Sequence, residues 1–196
     1  MENPEINKSK ESIESGAIKK LENLSVLVGP HAKLLILSVY LNLKPASVFQ
    51  TQFTDKPNEI LDEITDIMKN LGLYSKVTTS EHFQDSSNLV SLYFAISKDE
   101  KVLEKIGVGV RNNEYHKKQG EYFGFPESAT EAFAEKELLD INPDTLPPEI
   151  SSEDKKFLFF RLSKKSWQDE IVWLRKIEDK VKTLSPVIYE QIMNQK

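Results

Sequence analysis

At 196 residues, with 39% apolar and 29% charged side chains, the chain is long enough to bury one core and too apolar for a disordered segment. It contains no cysteine, which excludes disulfides, thiolate zinc sites, iron–sulfur clusters and cysteine nucleophiles. The formal charge of −5 is uneven: residues 153–196 carry ten Lys/Arg against seven Asp/Glu, so the preceding body is acidic, which argues against a nucleic-acid ligand.

Residues 1–9 are polar, include Pro4, and read as a flexible tail. Without a basic and an apolar block at this end, the expected address is cytoplasmic, and the longest apolar run, Leu34 to Leu41, is far short of the roughly 20 residues of a membrane span. Ile13, Ala17, Ile18, Leu21, Leu24 and Leu27 recur at helical steps, so a helix is predicted over 10–28, closed by Gly29-Pro30. The nearly continuous apolar run 33–43 predicts a buried strand, although a short core helix has the same pattern; Lys44-Pro45 ends it. No period decides the stretch that follows, to Thr54.

Pro57 opens a helix over 57–71, striped by Ile60, Leu61, Ile64, Ile67, Met68 and Leu71 and closed by Gly72. Two strands follow, 74–80 and 88–97, and the polar connection Glu81 to Ser87 suggests an antiparallel pair. Ser97 and Glu100 have capping-box spacing for a helix over 98–106, which Gly107-Val108-Gly109-Val110 breaks. Asn112 or Asn113 caps a helix over 112–123, and the corner Gly124-Phe125-Pro126 separates it from another over 126–139. Pro143, Pro147 and Pro148 mark a loop at 140–152. Phe157, Phe159 and Phe160 predict a strand over 156–162, and a long C-terminal helix over 165–193 restarts at Ser185-Pro186. The sum is an α/β fold of α+β type: a small mixed or antiparallel sheet covered by several helices, with residues 10–196 forming one domain.

The best candidate site is the corner between the helices of 112–123 and 126–139. His116 is one of three histidines, and histidine as a residue type would serve as ligand or general base; a histidine packed at a helix surface is the plainer reading. Its helical neighbours Asn112, Asn113, Gln119 and Gly120 include no carboxylate to complete a metal pair. Tyr115, Gln119, Tyr122 and Phe123 follow helical spacing, and Phe125 and Phe133 can meet them across the corner, as a packing cluster or as a ligand box with the Tyr122 hydroxyl in a cleft. Ser128 begins the second helix, where free N–H groups favour an anion and Glu127 and Glu131 oppose one.

Gly107-x-Gly109 lacks the strand and third glycine of a dinucleotide loop and reads as a turn. Glu131 and Glu135 lie one turn apart without a third ligand, so no metal and no cofactor is expected. The interleaved charges of Lys164 to Lys182 read as a solvated helix face.

The segment His116-x-x-x-Gly120 followed by Gly124-Phe125-Pro126-x-Ser128-Ala129-x-x-x-Phe133 resembles one in a group of uncharacterised prokaryotic proteins that carry His-x-x-x-Gly and then Gly-Tyr/Phe-Pro-x-Cys-Cys-x-x-x-Phe. Ser128 and Ala129 stand where that group has paired cysteines, so a thiolate-dependent redox or metal role implied by the resemblance cannot operate here.

Two functional expectations follow. The first is a non-catalytic binding or protein-interaction domain, with Trp167 and Trp173 on the C-terminal helix docking a partner or a second copy. The second is an enzyme or small-ligand-binding protein using His116, Tyr122, Phe125 and Ser128 at the aromatic corner.

Overall fold

The structure, a computed structural model, describes residues 4–24, 28–82, 89–140, 142 and 145–195. The elements in chain order are α1 (Pro4–Asn23), α2 (Pro30–Tyr40), β1 (Ala46–Gln50), α3 (Pro57–Asn70), β2 (Tyr74–His82), β3 (Val90–Ser97), α4 (Glu100–Lys105), α5 (Asn113–Phe123), α6 (Glu127–Glu135), α7 (Ser152–Phe157), α8 (Trp167–Leu184) and α9 (Pro186–Met193). This is an α+β architecture with a small antiparallel sheet and a long helix near the C-terminus. Among the described residues no helix is long and apolar enough to cross a membrane.

The strand order is β1-β3-β2, with both pairings antiparallel. Because side chains alternate along a strand, the sheet serves two different environments. Phe49 and Phe94 are paired across the ladder and stack with centroids 5.3 Å apart; with Leu92 and Ile96 they enter the main core. Ala46, Val48 and Ala95 face the other way, where Leu103, Ile106, Val102 and Phe123 form a second, smaller cluster. A cavity opens on that second side, lined in part by Val48, Ile106 and Phe123.

The main core is built around α2. Ala32, Leu34, Ile36, Leu37 and Val39 are all buried, so the helix is enclosed nearly all round. Its two buried polar groups are satisfied: Lys33 donates from Nζ to the Glu22 carbonyl (2.8 Å) and to Gln191 Oε1 (3.0 Å), and Ser38 donates to the Leu34 carbonyl (2.8 Å).

This corrects the strand expected over 33–43. An apolar run without periodicity describes a helix buried on every side as well as a buried strand, and here the helix prevails. The strand of this region lies further on, at Ala46–Gln50. Gly29 does not terminate α1, which ends at Asn23. Its backbone is extended, and it caps α2, with Pro30 in the first turn. Residues 4–9, expected in a loose tail, belong to α1.

The strand expected over 156–162 is also replaced. Ser151 and Asp154 form a reciprocal capping box that starts α7, and the chain leaves it at Phe157 to pass through Phe159 and a bend at Phe160, with an isolated bridge between Leu138 and Ser163. The start of α4 is shifted too: Asp99 is the N-cap, accepting from the Lys101 N–H (2.8 Å), while Ser97 donates to the Pro45 carbonyl (2.8 Å). The helix expected over 126–139 stops at Glu135, while the one expected over 165–193 restarts at Ser185-Pro186 as predicted. The hairpin of β2 and β3 forms as an antiparallel pair; of the connection expected over 81–87, Glu81 and His82 instead extend β2, and 83–87 lie outside the described residues.

Four helices end alike. After α2, α3, α5 and α6 the backbone turns left-handed at Asn42 (φ 58°), Gly72 (φ 67°), Gly124 (φ 64°) and Lys136 (φ 62°). In each case the next N–H reaches back to the helix, as Phe125 does to the Gly120 carbonyl at 3.0 Å.

Candidate ligand cavity

A cavity of about 820 Å³ lies between the second face of the sheet and the α5–α6 pair. β1 and β2 contribute Val48, Lys76 and Val77; the turn after α4 contributes Ile106, Gly107 and Arg111. α5 supplies Tyr115, His116, Gln119, Gly120 and Phe123, and the corner and α6 supply Phe125, Ala129, Thr130 and Phe133. Phe159, Phe160 and Arg161 close the remaining side. The volume falls in the range usual for small-molecule sites, roughly 300–1,000 Å³.

Local sequence explains the frame. The Asn112 side chain accepts from the Tyr115 N–H at 2.8 Å and starts α5. Gln119 is buried and spans to the α4 turn: its Oε1 accepts from the Gly107 N–H (3.0 Å), and its Nε2 donates to the Lys105 carbonyl (3.2 Å). Gly124 then reverses the chain. A Cβ there would lie 2.4 Å from Pro45 Cδ, so the corner sits flush against the link between α2 and β1.

Polar groups divide sharply by sign. The lining carries Lys76, Arg111 and Arg161 and no carboxylate among the described residues. Arg161 donates to the Leu139 carbonyl at 3.1 Å, which holds its guanidinium near the rim. His116 is half-buried in the wall, edge-on to Phe133 (5.2 Å) and Tyr115 (5.4 Å). Among the described residues its imidazole has no hydrogen-bond partner, which leaves both nitrogens for a guest. Nearby, the exposed Lys117 and Glu131 pair at 3.9 Å between the two helices.

Behind the aromatic wall lies Lys44. The residue is 2% exposed, and its ammonium nitrogen has no hydrogen-bond partner among the described residues. Instead Nζ stands 3.8 Å from the ring centroid of Phe125, 4.8 Å from Phe159 and 5.8 Å from Trp173. Burial alone lowers its pKa to about 7. Among the described residues the Thr130 hydroxyl is the other buried side-chain polar atom without a hydrogen-bond partner, and Thr130 is itself part of the cavity wall.

Of the residues expected at the site, the fold brings His116 and Phe125 to the cavity and leaves Tyr122 and Ser128 off it. Tyr122 lies beside Lys105, whose Nζ is 5.8 Å from its ring centroid. Ser128 donates to Glu170 Oε1 at 2.6 Å; Glu170 is fully buried and accepts from the Ser163 N–H (2.7 Å) through its other oxygen. The hydroxyl expected to greet an anion therefore joins α6 to α8. Trp167 and Trp173, expected on an exposed docking stripe, are both part-buried and packed against the main core, and Trp173 meets Phe160 edge-on at 5.4 Å.

Lys44, Lys76, Arg111 and Arg161 were not legible as site residues. Nothing in their local spacing differs from surface lysines and arginines, and only the tertiary fold gathers them. No group of three or more His, Asp or Glu among the described residues is placed to hold a metal ion. Comparison with protein-family models, with curated proteins and with solved structures finds no match.

Proposed function

We propose that the protein is a non-catalytic small-ligand-binding protein whose cavity takes an amphipathic anion: an apolar or aromatic body carrying a carboxylate or phosphate. One observation carries this reading. In a chain of net charge −5, the cavity wall is apolar and aromatic within and cationic at Lys76, Arg111 and Arg161, without a carboxylate among its described residues. The phenyl rings and valines would desolvate the body, and the guanidiniums would meet the anionic end with charge-assisted hydrogen bonds. His116, with no partner of its own, would add a directional contact from the side wall.

The test is thermal denaturation with decanoate, decyl phosphate and 1-decanol. At a concentration one hundred times Kd, binding to the native state stabilises by about 2.7 kcal/mol, or about 5–10 °C for a chain of this size. The two anions are expected to produce that shift and the alcohol much less; preference between the anions separates carboxylate from phosphate recognition. Arg111→Ser combined with Arg161→Ser should remove the difference between anion and alcohol. Equal stabilisation by the alcohol, or no shift with any of the three, overturns the reading.

A further inference from the structure

We propose that Lys44 is a covalent anchor for carbonyl compounds: an aldehyde or ketone on an apolar body, entering the cavity past the Phe125 ring, condenses with the Lys44 amine. The inference rests on the cavity being a ligand site, as argued above. Its own support is geometric. A lysine that is 2% exposed has neither a carboxylate nor a hydrogen-bond acceptor at its nitrogen among the described residues, an arrangement that stability alone does not favour. Nζ stands over the rings of Phe125, Phe159 and Trp173, and two of these, Phe125 and Phe159, are also cavity wall. The amine therefore sits one ring's thickness behind the ligand space. Phe125 is the panel that must turn to admit a guest: it lies outside both helices, between the left-handed Gly124 and Pro126, and is part-buried.

The chemistry balances without a further reactant. The nitrogen lone pair attacks the carbonyl carbon, a proton passes from nitrogen to oxygen, and the resulting carbinolamine loses water to leave a C=N bond. Attack requires the unprotonated amine. Burial holds the Lys44 pKa at about 7, so about half of its population is neutral at neutral pH, against roughly one part in several thousand for an ordinary lysine.

The experiment is incubation of the full chain with decanal and cyanoborohydride at pH 7, which reduces the C=N bond to a stable secondary amine, followed by peptide mass mapping. Lys44 should be alkylated at least tenfold faster than the average of the other lysines. The preference should shrink as the pH is raised to 10 and the surface amines also lose their protons. Phe125→Ala should accelerate labelling of Lys44, and decanoate should slow it. Modification spread over the surface lysines with Lys44 no faster than the rest overturns the proposal, whatever the variants do. The two readings fail separately: decanoate stabilisation without Lys44 labelling sinks the covalent anchor alone, and Lys44 labelling without stabilisation by any anion sinks the anion reading alone.

Discussion

The α-carbon of Gly120 lies directly against Thr130: a methyl group added to it would fall 2.4 Å from both Cγ2 and Oγ1 of that side chain. α5 and α6 cross at this point, and the close approach sets the width of the cavity between them and the sheet. Gly120→Ala is therefore expected to push the helices apart at a cost of about 1–3 kcal/mol, the usual penalty of overpacking. Thr130→Ala alone should cost little, because the hydroxyl it removes has no hydrogen-bond partner to lose. In combination the second change should recover only part of the first, since Thr130 Cβ would remain 2.9 Å from the new methyl. A double-mutant cycle by urea denaturation measures all three values; full additivity would refute the contact.

Two left-handed helix ends predict opposite responses. Gly124 combines φ 64° with a space that Pro45 Cδ closes to 2.4 Å, so Gly124→Ala faces both backbone strain and a clash, together about 2–4 kcal/mol. Lys136 adopts φ 62° with a side chain, at an exposed end of α6. Lys136→Gly should stabilise the protein by about 0.5–1 kcal/mol, raising Tm by about 1–4 °C. Scanning calorimetry distinguishes the two signs.

These positions also mark how far the residues alone could be read. The Gly72 and Gly124 ends, the Asn112 cap and the β2–β3 hairpin follow from local chemistry, in which a residue's own conformational preference selects the turn. α2 does not, because its burial on all sides erases the amphipathic period that separates helix from strand. The run through Phe159 and Phe160 has the aromatic content of a strand, yet its rings are spent on the cavity wall and on Lys44. The site was half legible for the same reason. His116 and Phe125 reach the cavity through local helix and corner geometry, whereas Ser128 is taken by Glu170, 42 residues away, and Lys44 is enclosed by residues from three distant segments.

Asp154 does two tasks at once. It completes the capping box of α7 with Ser151, and it receives Arg175 through two bonds, Nε to Oδ1 and a terminal nitrogen to Oδ2, both 2.8 Å. Asp154→Ala should cost about 2–3 kcal/mol, the sum of a lost cap and a lost charge-assisted pair. Arg175→Ala should cost less, because the Ser151 bonds to Asp154 survive. The Arg175 hydrogen bond holds the Asp154 carboxyl below its ordinary pKa of 3.8, so its stabilising contribution is present above that pH and is lost as the pH falls through the lower folded value. Urea-unfolding stabilities of wild type and Asp154→Asn should differ by a constant amount above about pH 4 and converge as the pH falls through that acidic window.

Lys44 and Glu178 should together give the protein a stability minimum near pH 7. Glu178 is buried beside Glu153, and loss of solvation, reinforced by that neighbour, raises its pKa from 4.5 to about 7. A raised carboxyl pKa favours the native state while the proton is on, so this contribution is intact below pH 4.5 and is lost as the pH climbs towards 7. Lys44 works in the opposite direction. Its folded pKa lies below the unfolded 10.5, so its contribution grows as the pH rises from about 7 to 10.5 and is absent at lower pH. Each group alone sets a slope of at most about 1.4 kcal/mol per pH unit inside its window. Urea unfolding between pH 5 and 10 should trace a dip centred near 7. Glu178→Gln should flatten the acidic side and Lys44→Met the alkaline side, with Lys44→Met the more stable protein at pH 7 because it removes a buried amine that has no hydrogen-bond partner among the described residues. A wild-type profile that rises steadily from pH 5 to 7 would show that these two groups do not govern stability near neutrality.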